Sequence, residues 1–240
     1  MLKKIKNYFK RKKIVNLAKN DINLIYEFQS LSYQNKYKLI NLREHFWQDK
    51  MGRFIERAGL FYITSKLNKP KKIVEIGSWV GVSTCYIAAA LPTNSMTHIY
   101  GVDTFLGSTI NETAAIAWNK SVNSMGGSTL SRFIENVKST GFENKISPIA
   151  SNSVDAAKKW KGKIDFLFID GDHFYDSVKK DFNAWFPYLS SNGVLAFHDY
   201  DEKHPEVVKF VDEVRVTHLS KLNTKQFESI ICFYPDSVNI

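Results

Sequence analysis

The 240-residue sequence reads as an α/β chain: a doubly wound, mostly parallel sheet with an N-terminal helical extension and an antiparallel strand at its end. Short apolar runs without polar alternation recur between residues 73 and 197, as expected of strands covered by helices on both faces. Segments of helical periodicity separate these runs. Two more apolar runs close the chain, too near each other for a parallel crossover, which needs a dozen or more residues.

Residues 14–69 read as helices. Met51, Phe54, Ile55, Ala58, Phe61 and Tyr62 form a stripe of 3.6-residue period, and Asn68-Lys69-Pro70 ends it. The strands expected next are Ile73–Ile76, His98–Val102, Ile146–Ala150, Ile164–Ile169 and Val194–Phe197. Pro148 places the third at an edge, where a missing N–H does no harm. A helix through Ala90 follows the first. Another carries Phe174, Val178, Phe182, Trp185 and Leu189 at steps of three or four, and Asn192-Gly193 is expected to turn it into the fifth strand. Arg215–Leu219 and Ser229–Tyr234 read as two strands of an antiparallel hairpin. The expected division is residues 1–69 as a basic tail and helical cap and 70–240 as one catalytic domain, with no linker or repeat.

The net charge is +9. Eight lysines and arginines and no acid fall within residues 1–20, so the remaining chain is close to neutral. The basic balance therefore belongs to a tail, not to a nucleic-acid-binding face. Leu2, Ile5, Tyr8 and Phe9 interleave with its lysines. Such a segment suits weak contact with an anionic membrane surface, or is simply a solvated terminus. Two cysteines exclude a disulfide framework. Without an apolar run long enough for a span or a signal peptide, the expected location is cytoplasmic, with peripheral contact at the inner membrane surface through the tail.

The first strand runs into Glu75-Ile76-Gly77-Ser78-Trp79-Val80-Gly81-Val82-Ser83-Thr84 and then a helix. Gly77 permits a tight turn, and Gly81 permits close approach of backbone to a ligand. Trp79 occupies the position where a dinucleotide fingerprint needs its second glycine, and no Gly-Lys-Ser/Thr follows, so a ligand lacking phosphates fits better. Asp103, just after the second strand, is placed to accept hydrogen bonds from ribose hydroxyls, or else serves as a turn aspartate.

Glu75-x-Gly77-x-x-x-Gly81, Asp103, Asp170-Gly171-Asp172-His173, Gly193-Val194 and His198-Asp199 together resemble class I S-adenosylmethionine-dependent methyltransferases. The likeness is closer to the small-molecule and sugar O-methyltransferases with an Asp-Gly-Asp-His motif after strand four, and covers roughly residues 50–215. It implies a seven-stranded sheet with the last strand antiparallel. It also implies that Glu75, Gly77, Ser78, Gly81 and Ser83 surround the methionine part of S-adenosylmethionine, that Asp103 holds the ribose, that Ser151 or Asn152 lies near the adenine, and that Asp170 borders the cofactor.

Asp170 closes strand four and His198-Asp199 closes strand five, and adjacent strands lie about 4.8 Å apart. Asp170 and Asp199 could share a divalent cation, magnesium or manganese by their hard oxygens, with His198 as a third ligand where relatives tend to carry an acid. Two facing carboxylates without a cation would repel, and one would take a proton. His173 is the expected base for an acceptor hydroxyl. Asp172 is the expected orienter of His173, or the cap of the next helix. The long connection from Asp103 to Lys145 and the first 69 residues are candidate covers, and Phe46, Trp47 and Trp118 could stack on a ring.

The expected activity is O-methylation of a small-molecule hydroxyl, a sugar or glycoconjugate first and a catechol second. A nicotinamide-dependent oxidoreductase and a non-catalytic nucleoside-binding module on the same fold are the rivals. A homo-oligomer is compatible with the sequence, and no nucleic-acid partner is expected.

Overall fold

The computed structural model describes residues 39, 42, 52–107 and 113–240. The basic segment 1–20, Met51, Phe46, Trp47 and the side chains of Phe54 and Trp118 lie outside what it describes. One sheet of seven strands has the order β3-β2-β1-β4-β5-β7-β6. The strands are β1 (Lys72–Ile76), β2 (His98–Asp103), β3 (Ile146–Ala150), β4 (Ile164–Ile169), β5 (Leu189–Phe197), β6 (Asn223–Phe227) and β7 (Ile230–Tyr234). The first five pair in parallel, and β7 runs antiparallel to both β5 and β6. The expected doubly wound sheet with an antiparallel last strand is therefore present. β3 is an edge strand, as its proline requires.

The helices are α1 (Gly52–Ser65), α2 (Val82–Ala89), α3 (Thr113–Ser124), α4 (Leu130–Thr140), α5 (Ser153–Lys159), α6 (Tyr175–Trp185) and α7 (Pro205–Thr217), with a 3-10 turn over Phe186–Tyr188. Strand residues alternate between two cores because successive side chains leave a strand on opposite faces. Ile73, Phe166, Phe168, Val194 and Ala196 pack against α1, α2 and α4 on one face. Val74, Ile76, Leu167, Ile169, Leu195 and Phe197 pack against α5, α6 and α7 on the other. That double burial is why these strands carry no polar alternation. α1 belongs to the first core through Ile55, Ala58, Leu60, Phe61 and Ile63.

Two expectations are corrected. Arg215–Leu219 is not a strand: residues 215–217 end α7, whose buried Val207, Phe210, Val211 and Val214 step at helical intervals. The β-branched Val216 and Thr217 that suggested a strand occupy its outer face, with Val216 74% exposed. The hairpin partner of β7 is instead the polar β6, Asn-Thr-Lys-Gln-Phe, an edge strand that needs little apolar surface. Asn192-Gly193 does not precede β5 but lies inside it, where the pairing with β4 jumps from Ile164↔Leu189 to Phe166↔Val194. The extra residues are taken up by an irregularity in the strand, and a glycine suits it.

Chain order reverses between β1, followed outward by β2 and β3, and β4, followed by β5. Ligands of open α/β sheets bind in the crevice at the carboxyl ends of the strands flanking such a reversal. The ends of β1, β2, β4 and β5 therefore define where the site lies.

Candidate active site

The turn after β1 is tied down by its neighbours. Gly77 N donates to Val102 O at 2.8 Å, and Asp170 N donates to Ile76 O at 2.8 Å. Gly77 has φ +86°, and a Cβ there would stand 1.8 Å from the carbonyl oxygen of Asp170. The glycine is thus demanded by the contact between the ends of β1 and β4. Gly81 has φ +76°, and a Cβ there would meet the Phe133 ring at 2.7 Å. The close approach expected at Gly81 is accordingly to α4, within the protein itself. Trp79 is held at φ +49° without a glycine's freedom.

Glu75 is fully buried at the end of β1. The Thr84 hydroxyl donates to its Oε2, while Oε1 has no partner. Burial pushes the carboxyl up to about 7, against the hydroxyls of Ser83 and Thr84. Ser78 is buried beneath the turn, and Ser83 is half-buried in the first turn of α2. Asp103, at the end of β2, accepts from Trp79 N at 2.8 Å and from Phe105 N at 2.6 Å, one on each oxygen. It therefore fills the turn role foreseen for it. A carboxylate has about four acceptor sites, so two backbone donors leave capacity for a ligand. Ser151 follows β3, its N–H donating to Asp103 O at 3.0 Å. Asn152 caps α5 through its Oδ1.

At the ends of β4 and β5, Asp170, His173, His198 and Asp199 converge. His198 Nδ1 lies 2.9 Å from Asp170 Oδ1 and 3.1 Å from Asp199 Oδ2. Both carboxylates thus face the same ring nitrogen. His173 Nε2 lies 2.9 Å from the same Asp199 Oδ2. Asp199 itself sits at φ +57°. Burial would raise the Asp199 carboxyl, but His198 and His173 hold it well below the ordinary carboxylate range. Burial and the Asp199 charge raise Asp170 despite His198. Burial would lower both imidazoles, yet Asp170 and Asp199 raise His198 and mainly Asp199 raises His173.

Asp172 does not reach the His173 ring. Its carboxylate accepts from the backbone N of His173 at 2.8 Å and from Ser177 Oγ at 3.1 Å, so it stabilises the entry to α6. The group facing the imidazole is Asp199. The structure also adds two residues that sequence spacing did not single out. His204 Nδ1 bonds Asp201 Oδ1 at 2.9 Å and lies 3.5 Å from Asp199 Oδ1. Glu56 of α1 faces His198 Nε2 at 3.4 Å. No spacing connects residues 56 and 198, so packing alone joins them.

Among the described residues, two groups could hold a cation: Asp170, His198 and Asp199, and His173, Asp199 and His204, with ligand atoms in each within 4.8 Å of one another. In the second group His204 Nδ1 already has Asp201 as partner. In the first, both carboxylates converge on Nδ1 of His198, so its donor set fits a divalent cation.

A family model described as "Methyltransferase domain" matches residues 74–200. The curated proteins similar in sequence include two uncharacterized ones. One is an uncharacterized protein of Sinorhizobium fredii (31% identical over 132 residues, 55% of this chain) and the other an uncharacterized protein of Acanthamoeba polyphaga mimivirus (31% over 107 residues, 43% of this chain). The matches span only 13% and 45% of those proteins. Among solved structures, the fold is similar to three methyltransferases. The O-methyltransferase NovP is 15% identical with TM-score 0.59, covering 75% of this chain and 79% of that one. The S-adenosylhomocysteine-bound methyltransferase PaMTH1 of Podospora anserina is 14% identical with TM-score 0.57, covering 93% and 98%. The O-methyltransferase TomG of Streptomyces achromogenes, in complex with S-adenosylmethionine, is 12% identical with TM-score 0.52, covering 88% and 95%.

Proposed function

On the premise that the chain belongs to the methyltransferase-domain family, we propose that it moves the methyl group of S-adenosylmethionine to a hydroxyl oxygen of a small molecule, a sugar or glycoconjugate in first place. The observation that carries this reading is the placement, on either side of β1 at the sheet's reversal point, of a ribose-type acceptor at Asp103 and the Asp170, His173, His198 and Asp199 cluster. The solved relatives named with S-adenosylmethionine or its product share the fold and support the donor.

The donor supplies a sulfonium methyl that leaves with its electron pair returning to sulfur. The turn from Glu75 to Gly81 and the free acceptor sites of Asp103 hold it, with the buried Glu75 carboxyl anchoring the start of α2 through Thr84. Ser78 and Ser83 border the methionine end, and Ser151 the adenine end. His173 takes the proton of the acceptor hydroxyl as oxygen attacks carbon in line, and Asp199 orients its ring. Asp170, His198 and Asp199 are the residues that would hold magnesium or manganese. A divalent cation held there would favour loss of the acceptor hydroxyl's proton and would offset the carboxylate charge beside His173. The protein's own contribution is alignment and a fixed electrostatic frame.

Trp79, in place of a glycine and fixed by its N–H bond to Asp103, speaks against a dinucleotide. The test is methyl transfer from S-adenosylmethionine to a panel of sugars and catechols, with and without a chelator. Methylated sugar that diminishes with chelator supports the reading. Turnover on catechols alone replaces the acceptor class, and no transfer to either overturns it.

A further inference from the structure

His198 is the one imidazole of the cluster whose two nitrogens face in opposite functional directions. Nδ1 points at Asp170 Oδ1 and Asp199 Oδ2, at 2.9 and 3.1 Å. Nε2 points away from them, toward Glu56 Oε2 at 3.4 Å. Glu56 is not a passing surface acid: its side chain is 18% exposed, and its Oε1 accepts a 2.6 Å hydrogen bond from Ser229 Oγ in the turn between β6 and β7. That turn is pinned to the end of β5 by Tyr200 N donating to Ser229 O at 2.8 Å. One carboxylate is thus fixed at one end by the hairpin and presented at the other to the back of the His198 ring.

We propose that Glu56 is a positioning residue: by engaging Nε2 of His198 it fixes the ring and directs the lone pair of Nδ1 into the space between Asp170 and Asp199, where a divalent cation is held. The inference rests on the metal-assisted reading above and extends it to a residue of α1. A neutral imidazole carries its proton on one nitrogen only, and the partner of one nitrogen decides which one it is. With a cation between Asp170 and Asp199, the carboxylate behind Nε2 keeps the proton on that nitrogen and leaves Nδ1 as the ligand atom. The same partner raises the basicity of the ligating nitrogen and stops the ring from rotating, which is how carboxylates behind metal-bound histidines act. The arrangement has a structural consequence. The cation position is completed by the helix that precedes the sheet, so docking of α1 and the capacity to bind metal are linked. An aspartate at position 198 would need no such support, since its oxygens carry no proton to be steered.

The test is the affinity for Mn2+ alone, read by electron paramagnetic resonance of the free ion. It uses the full chain, Glu56→Ala, Glu56→Gln and His198→Asp, and the Glu56→Ala/His198→Asp pair. Glu56→Ala is expected to weaken Mn2+ binding by about 10- to 100-fold in the His198 protein. Glu56→Gln, which keeps the shape and an acceptor oxygen, should lose less. In the His198→Asp background the Glu56→Ala change should alter affinity by less than about twofold, because the coupling then has no ring to act on. Should Glu56→Ala not fold, judged by circular dichroism, the Gln variant in both backgrounds carries the same comparison. Equal weakening with histidine and with aspartate at 198 assigns Glu56 a merely structural role and overturns the proposal, as does unchanged affinity with His198 intact. Failure of the unsubstituted protein to bind Mn2+ overturns both this inference and the metal reading, while S-adenosylmethionine binding, measured in parallel, reports separately on the methyltransferase reading.

Discussion

His173 touches Asp199 through Nε2, which leaves Nδ1 as the ring nitrogen able to take a proton from an acceptor. His173→Ala should therefore lower turnover by roughly 100-fold or more while leaving S-adenosylmethionine affinity nearly unchanged. Equal losses in both quantities would contradict the base assignment. A second acid gives a test that does not involve chemistry. Asp181, on α6, is buried, and burial together with the Asp172 charge pushes its carboxyl up to about 6, against a bond from Ser153. An acid whose pKa is raised by folding costs nothing while protonated and destabilises the protein as pH climbs from its ordinary value near 4 through 6. Asp181→Asn should thus gain stability relative to the parent on going from pH 4 to pH 7.5, by at most roughly 3 kcal/mol, in urea unfolding. A difference that is the same at both pH values would show that the carboxylate's charge is not the cause. Glu75, Asp103, Asp170, His173 and Asp199 were legible because motif spacing and strand ends place them. Glu56 and His204 were not, because they reach the cluster only through tertiary packing.

The strand-to-helix turn after β1 depends on one absent side chain. Gly77→Ala would force a Cβ into the Asp170 carbonyl at a backbone angle that L residues rarely adopt. The expected cost is at least about 4 kcal/mol, enough for failure to fold in the soluble state. Gly126→Ala is the matched control, since φ is +79° there but nothing lies within 4 Å. It should cost only about 1–2 kcal/mol. Comparable urea midpoints for the two variants would remove the claim that β1 and β4 meet at Gly77. The central strands were readable because burial on both faces leaves uninterrupted apolar runs. The end of α7 was read as a strand because Arg215–Leu219 carries the β-branched Val216 and Thr217, while the residues that bury the helix, Val207, Phe210, Val211 and Val214, lie before that stretch. β6 escaped notice because an edge strand with polar residues carries almost no apolar signal, and its single fully buried side chain, Phe227, packs on Gly59 of α1.

Two cores, one on each face, make the sheet a rigid platform and leave its carboxyl edge as the place where polar groups gather. The arrangement gathers Asp170, His173, His198 and Asp199 past the ends of β4 and β5, while helix α1 both fills the first core and supplies Glu56 to that edge. The edge position of β3 followed from Pro148 and the antiparallel last strand from the family resemblance, whereas the strand order and the true partner of β7 came only with the structure. The identity of the acceptor does not follow from the fold, because sites and not folds determine chemistry. The account stands or falls on what the edge between β1, β2 and β4 holds. Titration calorimetry of the full chain with S-adenosylmethionine and with NAD decides it, repeated on Asp103→Ala. The expected result is saturable heat with S-adenosylmethionine that weakens at least about tenfold in Asp103→Ala, consistent with loss of charged hydrogen bonds, and none with NAD. Binding of NAD with no response to S-adenosylmethionine, or donor affinity indifferent to Asp103, would contradict it.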